Sequence, residues 1–365
     1  MKKRLVRALV TGAGTGSSAN LIRALRTISP KPYVVGVNHD RFVLKLSIAD
    51  TNYICPDPDG DEFCAALLKI VRRERINVVM ATNDNVVKVL SDQRRKFPID
   101  LLLPRRETID LCQDKYALNE FLRSRNVPAP RSFELKSLRS LEKIFARFSD
   151  EGLLWCRARR GSRSLAAAPV ANIEQARAWI TQWRDLQGVK VSDFTLAEYL
   201  PGRHFVVQSF WHKGTMLRTQ AVEILSYFAA GNNPSGTFSL SSLAKTVAAP
   251  EAVKVALSAV EAVEKAPSGA FFIELKEAAN GVPLITEINA GRFPSGVTAL
   301  LAVGKDNMVA AFAAAAIGAT VRVAAEPYGS GSEYYMVRDI DAIPAVFSAA
   351  ELLEGGSRRA LLPPR

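Results

Sequence analysis

Along its first hundred residues the chain switches repeatedly between two rhythms. Residues 4–11, Arg4-Leu5-Val6-Arg7-Ala8-Leu9-Val10-Thr11, alternate toward a strand. Gly12-Ala13-Gly14-Thr15-Gly16 then turns into residues 19–26, whose apolar positions fall at helical spacing. Tyr33–Val37 reads as a second strand ending in Asn38-His39-Asp40, 61–75 as a helix, and Asn77–Ala81 as a strand followed by Thr82-Asn83-Asp84-Asn85. Leu101-Leu102-Leu103 closes the series at Pro104. Strands that alternate with helices predict a parallel, doubly wound sheet, an α/β arrangement.

Beyond Pro104 the pattern changes. A helix begins at 108–112, Asp114-Lys115-Tyr116 follows, and Val127-Pro128-Ala129-Pro130 interrupts the chain. Residues 153–168 predict a strand, a basic loop and a second strand. An amphipathic helix over 174–187 carries Trp179 and Trp183 four apart, which suits core packing. The strand 194–200 runs into Pro201-Gly202, and 205–211 and 217–225 predict antiparallel strands about His212-Lys213-Gly214. A polar loop spans 231–242 and reads as a cover for substrate. Helices follow at 250–265 and 306–317, and a strand at 334–338. Successive antiparallel strands make this part α+β.

The chemistry concentrates in two more strands, Phe271-Phe272-Ile273-Glu274-Leu275-Lys276 and Leu284-Ile285-Thr286-Glu287-Ile288-Asn289-Ala290. Asn280-Gly281 lies between them, a strong hairpin dipeptide. Period two places Glu287 and Asn289 on one face, and strand pairing brings Glu274 to it. Two carboxylates and an amide oxygen make a hard-oxygen site suited to Mg²⁺, or Mn²⁺, together with substrate phosphates. The bland reading of any one of these residues is a solvated strand face. The spacing of all three, followed by Gly291-Arg292, argues against it.

Two glycine-bearing turns invite phosphate chemistry. Gly12-Ala13-Gly14-Thr15-Gly16 lies between a strand and a helix, and Asp40 stands near where a ribose-binding acid would sit. Ser17 occupies the place of a third glycine, so the dinucleotide signal is weak, and close helix–strand packing is the competing reading. The loop after 153–158 holds Gly161 and Ser162 among Arg157, Arg159, Arg160 and Arg163, a cationic setting for phosphates.

Composition narrows the class. The 365 residues are 48% hydrophobic and 23% charged, ordinary for two or three cores. No apolar run approaches the roughly 20 residues that span a bilayer. The basic start resembles a signal n-region, but Ala8–Gly14 is too short and glycine-rich for an h-region, so a buried first strand is expected. Cys55, Cys64, Cys112 and Cys156 form no CxxC pair, which suits a reducing cytoplasm and excludes a disulfide scaffold. His39, His204 and His212 show no metal spacing. A net charge of +12 suggests polyanion partners. It is spread over solvated helix ends such as 69–75 and 93–96, so nucleic acid is not expected as a partner.

Taken with these residues, the chain resembles the ATP-grasp superfamily, in the branch of the carbamoyl-phosphate synthase large subunit and the carboxylate–amine ligases. The resemblance covers roughly 105–340 through spaced motifs and 1–104 more loosely. Glu274, Glu287 and Asn289 match the family's metal-binding strand pair. Arg292 comes one residue later than the Arg of the usual Glu-x-Asn-Pro-Arg. Asp114-Lys115 resembles the first nucleotide-contacting segment, with Lys115 on a phosphate. Arg157 stands where the family's phosphate Lys is, ahead of a loop with the single glycine Gly161. Glu198-Tyr199-Leu200 resembles the hinge that holds adenine through backbone groups, while His204 replaces an acidic residue of many relatives near the ribose.

The resemblance implies a Rossmann-like pre-ATP-grasp domain at 1–108 that binds no dinucleotide, with Gly12, Gly14, Asn83 and Asp84 lining a pocket. It implies a small subdomain with the phosphate loop at 109–190, a large subdomain with the metal site at 191–345, and a basic tail at 346–365. The activity implied is ATP-dependent activation of a carboxylate as an acyl phosphate for attack by an amine, in the cytoplasm, with no membrane partner; a homodimer is compatible with it. Arg292 and Arg157 would be the catalytic cations, and Lys115, Arg157, Gly161, Ser162, Glu198, Tyr199 and Leu200 the nucleotide contacts. The alternatives are a nucleotide- or ligand-binding homologue without turnover and a nicotinamide-dependent oxidoreductase built on the first domain.

Overall fold

The computed structural model describes residues 5–161, 166–228, 240–294, 296–303, 307–322, 333–339 and 342–353. Ser162, Arg163, most of the expected 231–242 cover loop and the chain after 353 lie outside them.

The first sheet has four parallel strands in the order β3-β2-β1-β4: β1 (Arg7–Thr11), β2 (Tyr33–Asn38), β3 (Thr51–Ile54) and β4 (Val78–Met80). Helix α1 (Gly16–Leu25) buries Leu21, Ile22, Ala24 and Leu25, the face its spacing dictates, and Thr15 caps its start by accepting from Ser18 N. Helices α2 (Phe63–Arg73) and α3 (Asp84–Asp92) complete the alternation. The expected strand at Leu101–Leu103 does not join this sheet. Those leucines are buried in extended chain, and the Leu102 carbonyl fills the space a side chain on Gly269 would need, 2.8 Å from its Cβ. The segment is a seam between the first sheet and the seven-stranded sheet that carries Gly269, and its apolar run reflects burial on both sides.

Gly14 shows what the first turn is for. Its φ is +93°, and a Cβ there would stand 1.8 Å from the Val43 carbonyl oxygen. Gly12, at φ +61°, abuts Thr82 in the same way. The glycines make room for the protein's own backbone and so serve close packing. Gly14→Ala is expected to lower the unfolding free energy by about 2 kcal/mol through strained backbone and overpacking. Urea denaturation would read this as a lower midpoint at unchanged slope.

Past helices α4 (Arg106–Cys112) and α5 (Lys115–Ser124), a small antiparallel sheet forms in the order β5-β8-β6-β7. Its strands are β5 (Ser132–Glu134), β6 (Leu154–Ala158), β7 (Ala168–Val170) and β8 (Phe194–Glu198). Helices α6 (Ser140–Ala146) and α7 (Ile173–Gln187) cover one face over Leu154, Cys156, Phe194 and Leu196. Trp179 and Trp183 lie against this core, with Trp179 Nε1 donating to the Ala166 carbonyl at 2.8 Å. Because β8 pairs with β5 and β6, the division expected at 190 cuts this sheet; the structural break follows Glu198.

The third sheet has seven strands in the order β13-β12-β9-β10-β11-β14-β15. They are β9 (His204–His212), β10 (Thr215–Tyr227), β11 (Ser241–Thr246), β12 (Gly269–Glu277), β13 (Pro283–Ala290), β14 (Tyr334–Val337) and β15 (Ala345–Ser348). Helices α8 (Pro250–Val263) and α9 (Met308–Ala316) pack on it, and two shared cores weld it to the first sheet. β15 and helix α10 (Ala349–Leu353) correct the expected tail: Val346 is buried against Met336, so the ordered chain continues to at least 353.

Candidate active site

β12 and β13 turn through Ala278–Val282, with Gly281 at φ +81° as the dipeptide requires. The register sets Glu274 directly opposite Glu287, with a bulge between Glu274 and Leu275. Glu287 Oε1 accepts from Asn289 Nδ2 at 3.0 Å, and Lys115 Nζ stands 3.6 Å from Oε2. Burial pushes the Glu287 carboxyl up, but Lys115, the Asn289 N–H, Arg157 and Arg292 outweigh it and hold it at about 2. It is therefore ionised at neutral pH.

Arg292, at the exit of β13, is almost fully buried beneath Phe272, its guanidinium 5.4 Å from the ring centroid. Its Nε and Nη2 donate to the two oxygens of Asp84 at 2.6 and 3.1 Å, and Nη2 also donates to Asn289 Oδ1. Asn289 thus spends its oxygen on Arg292 and its N–H on Glu287. Of the three expected metal ligands, the two carboxylates carry the negative charge; Glu287 Oε1 already accepts from Asn289 and Glu274 Oε2 lies 3.3 Å from His204, and their hard, anionic oxygens fit a divalent cation. Among the described residues no group of three or more His, Cys, Asp and Glu converges on a metal position.

The opposite wall is the open face of the small sheet. Alternation on β6 sends Leu154, Cys156 and Ala158 into the core and leaves Trp155 and Arg157 facing the cleft. Arg157 Nη2 donates to the Thr286 carbonyl at 3.0 Å, while its Nε is buried without a partner among the described residues. Burial lowers the Arg157 pKa, opposed by Glu287 and Glu274. An unpaired buried N–H is costly, which marks this side of Arg157 as an opening for an acceptor.

Lys115 begins α5, where Asp114 caps the helix by accepting from Ala117 N at 3.0 Å. The Lys115 ammonium donates to the Gly161 carbonyl at 2.6 Å, which ties the loop after β6 to the carboxylate pair. The expectation that Arg159 and Arg160 supply phosphate charge is corrected. Both are held by buried Asp114, at 2.7 and 2.9 Å, and Arg159 also by Glu134 at 3.0 Å. Their task is to fix the start of α5 and the loop to each other.

At the other end of the cleft, Trp155, Ala197, Tyr199 and Leu200 form an apolar wall. Glu198 Oε1 accepts from Arg131 N at 2.8 Å, and its own N–H donates to the Arg131 carbonyl. His204, which replaces the acidic residue of many relatives, lines the cleft and brings Nε2 to 3.3 Å from Glu274 Oε2, while its Nδ1 meets the Tyr227 hydroxyl. Burial drives the Tyr227 hydroxyl pKa far up. Tyr227 and Lys276 line the cleft and were missed by sequence reasoning. Lys276 was open to discovery, since period two from Glu274 points to it; Tyr227 arrives through tertiary packing alone.

The first domain contributes less than expected. Gly12 and Gly14 face Thr82 and Val43, Asn83 caps α3 by accepting from Val86 N, and Asp40 caps a turn by accepting from Phe42 and Val43 N–H groups. Asp84 reaches the site, through Arg292.

No family model matches the chain, and no curated protein matches it in sequence. Solved structures do. The biotin carboxylase domain of the 2-oxoglutarate carboxylase from Hydrogenobacter thermophilus, solved with MgADP, ADP and bicarbonate, aligns at a TM-score of 0.71 and 14% identity over 92% of this chain and 75% of that one. An L-amino acid ligase from Bacillus licheniformis aligns at 0.66 and 14% over 92% and 80%. N5-carboxyaminoimidazole synthetase from Staphylococcus aureus aligns at 0.66 and 14% over 92% and 83%. These are ATP-grasp proteins, and the chain has the ATP-grasp fold. Among the described residues no helix is long and apolar enough to cross a membrane.

Proposed function

We propose that this chain is an ATP-dependent ligase that activates a carboxylate as an acyl phosphate for attack by an amine, working in the cytoplasm. One observation carries the reading: two carboxylates, Glu274 and Glu287, face two cations, Lys115 and Arg157, at one end of a cleft whose other end is walled by Trp155, Ala197, Tyr199 and Leu200 with Lys276 over them. That division suits a nucleotide with its polyphosphate at the charged end and its base beside Trp155, Tyr199 and Leu200. Structural neighbours solved with MgADP, ADP or ATP lend the nucleotide assignment support.

In the reaction, a substrate carboxylate oxygen bonds to the γ-phosphorus as the bond to the β–γ bridging oxygen breaks. The amine nitrogen then attacks the acyl carbon, phosphate leaves, and the nitrogen loses a proton. Lys115 and Arg157 offset charge on the transferring group, and the cleft holds the reactants in line. Glu274 and Glu287 would hold Mg²⁺, or Mn²⁺, with Asn289 beside them; the metal supplies further neutralisation of phosphate charge. Arg292, anchored by Asp84 through Nε and Nη2, is the proposed contact for the substrate carboxylate.

A screen of acids and amines for ADP release tests the proposal. Release that requires both substrates supports it. Nucleotide binding with no turnover on any pair would favour the homologue without turnover, a reading that draws on the commitment of Arg159 and Arg160 to Asp114. The oxidoreductase reading draws less support, since Gly12 and Gly14 serve close packing against Thr82 and the Val43 carbonyl. Base selection gives a further expected result. The Tyr199–Leu200 segment beyond Glu198 offers backbone groups to adenine, and guanine reverses the donor and acceptor at its six-position. ATP should therefore bind about tenfold more tightly than GTP, given roughly 1–3 kcal/mol per mismatched buried group. Equal affinities by calorimetry would remove this segment from the base-binding role.

A further inference from the structure

β12 carries three cleft-facing side chains in period two: Phe272, Glu274 and Lys276. The small sheet mirrors the last two of them across the cleft with Arg157 and Trp155. Charge faces charge at the level of Glu274 and Arg157. One step along both strands, Lys276 faces the aromatic wall: its ammonium lies 5.8 Å from the Tyr199 ring centroid, and Tyr199 leans on Trp155 at 6.3 Å. Lys276 makes no ion pair or hydrogen bond to another described residue. A surface lysine would send its head to water along an apolar stem. This one lines the inside of the cleft, at the end whose other walls are Ala197, Tyr199 and Leu200. The half-buried ammonium already meets one protein ring, Tyr199, and the ring of a cleft-bound ligand would offer it a second.

A flat ring lying between two sheets turns one face to each. Side chains standing up from the middle of a strand meet faces, whereas hinge backbone meets edges. We propose that Lys276 reads the nucleotide base through its face: the ammonium sits against the π-system of a purine whose other face lies on Trp155 and Ala197. The ligand class is a purine nucleoside triphosphate, because a cation is drawn to the larger electron-rich ring more than to a pyrimidine. The inference rests on the placement of the base at the apolar end, given above.

The test is calorimetric binding of ATP, CTP and inorganic tripolyphosphate to wild type, Lys276→Met and Lys276→Arg, without turnover. Met keeps the length of the side chain and removes the charge; Arg keeps the cation. The expected result is that Lys276→Met weakens ATP by roughly tenfold, the scale of a desolvated cation–π contact, and narrows the preference for ATP over CTP. Tripolyphosphate, which has no base, should bind both proteins alike, and Lys276→Arg should retain most of the ATP affinity. Equal weakening of ATP and tripolyphosphate by Lys276→Met would make the ammonium a phosphate ligand and overturn the proposal, as would unchanged ATP affinity. A wild type that binds no nucleoside triphosphate would remove the nucleotide reading itself, an outcome distinct from a wild type that binds ATP and a Met variant that binds it equally well.

Discussion

Glu287→Gln is expected to reduce ADP formation by two or more decades, on the order of 3 kcal/mol of transition-state stabilisation. The carboxylate is held ionised by Lys115, Arg157 and Arg292, and it faces Glu274 across a strand pair. Gln keeps the size of the side chain and an oxygen able to accept from Asn289 Nδ2, so the hairpin should fold unchanged. What disappears is one of the two negative charges that would hold the metal. The same change leaves Lys115 and Arg157 less compensated, so nucleotide binding measured without divalent metal should be maintained or tightened. Steady-state ADP release and metal-free calorimetry check the two halves. Normal turnover by the variant would take Glu287 out of the metal role.

The second large effect is expected at Arg157. Its Nη2 is fastened to the Thr286 carbonyl, so the guanidinium is held in place while its Nε remains unpartnered. Arg157→Ala should weaken ATP by about a hundredfold, the scale of losing a charge-assisted contact and its neighbour in a desolvated site. Arg157→Lys, which restores the residue the resemblance leads one to expect there, should still cost about tenfold. A point charge on a flexible stem cannot hold Thr286 and a phosphate oxygen with one planar fork. Calorimetry at fixed Mg²⁺ on the three proteins reads this directly. Equal affinities would mean that Arg157 serves only to join β6 to β13. The Ala variant also leaves Glu274 and Glu287 facing one another with one cation fewer, so a thermal melt should accompany the binding data.

The sequence by itself determined whatever depends on neighbours within a few residues. The strand and helix rhythm of the first domain, the Asn280-Gly281 hairpin and the shared face of Glu287 and Asn289 are all local, because side-chain period and turn chemistry act over two to four positions. Turn length alone would set Glu274 opposite Thr286; the bulge between Glu274 and Leu275 shifts the register and brings Glu287 there, a step that local spacing does not announce. Burial was legible at Leu101–Leu103, but what buried it was not: an apolar run looks the same in a sheet and in a seam between sheets. Only the tertiary structure decided the partners of the charges. Asp84 and Arg292 meet across 208 residues, and Arg157 meets Thr286 across 129. Asp114 draws Arg159 and Arg160 away from the role their sequence position suggested, and Arg292 takes the oxygen that Asn289 would have offered a metal. A charge carries no periodicity to announce its partner. Its pairing is set by which strands the topology brings to the same cleft, and by the cost of leaving any buried ion alone once they are there.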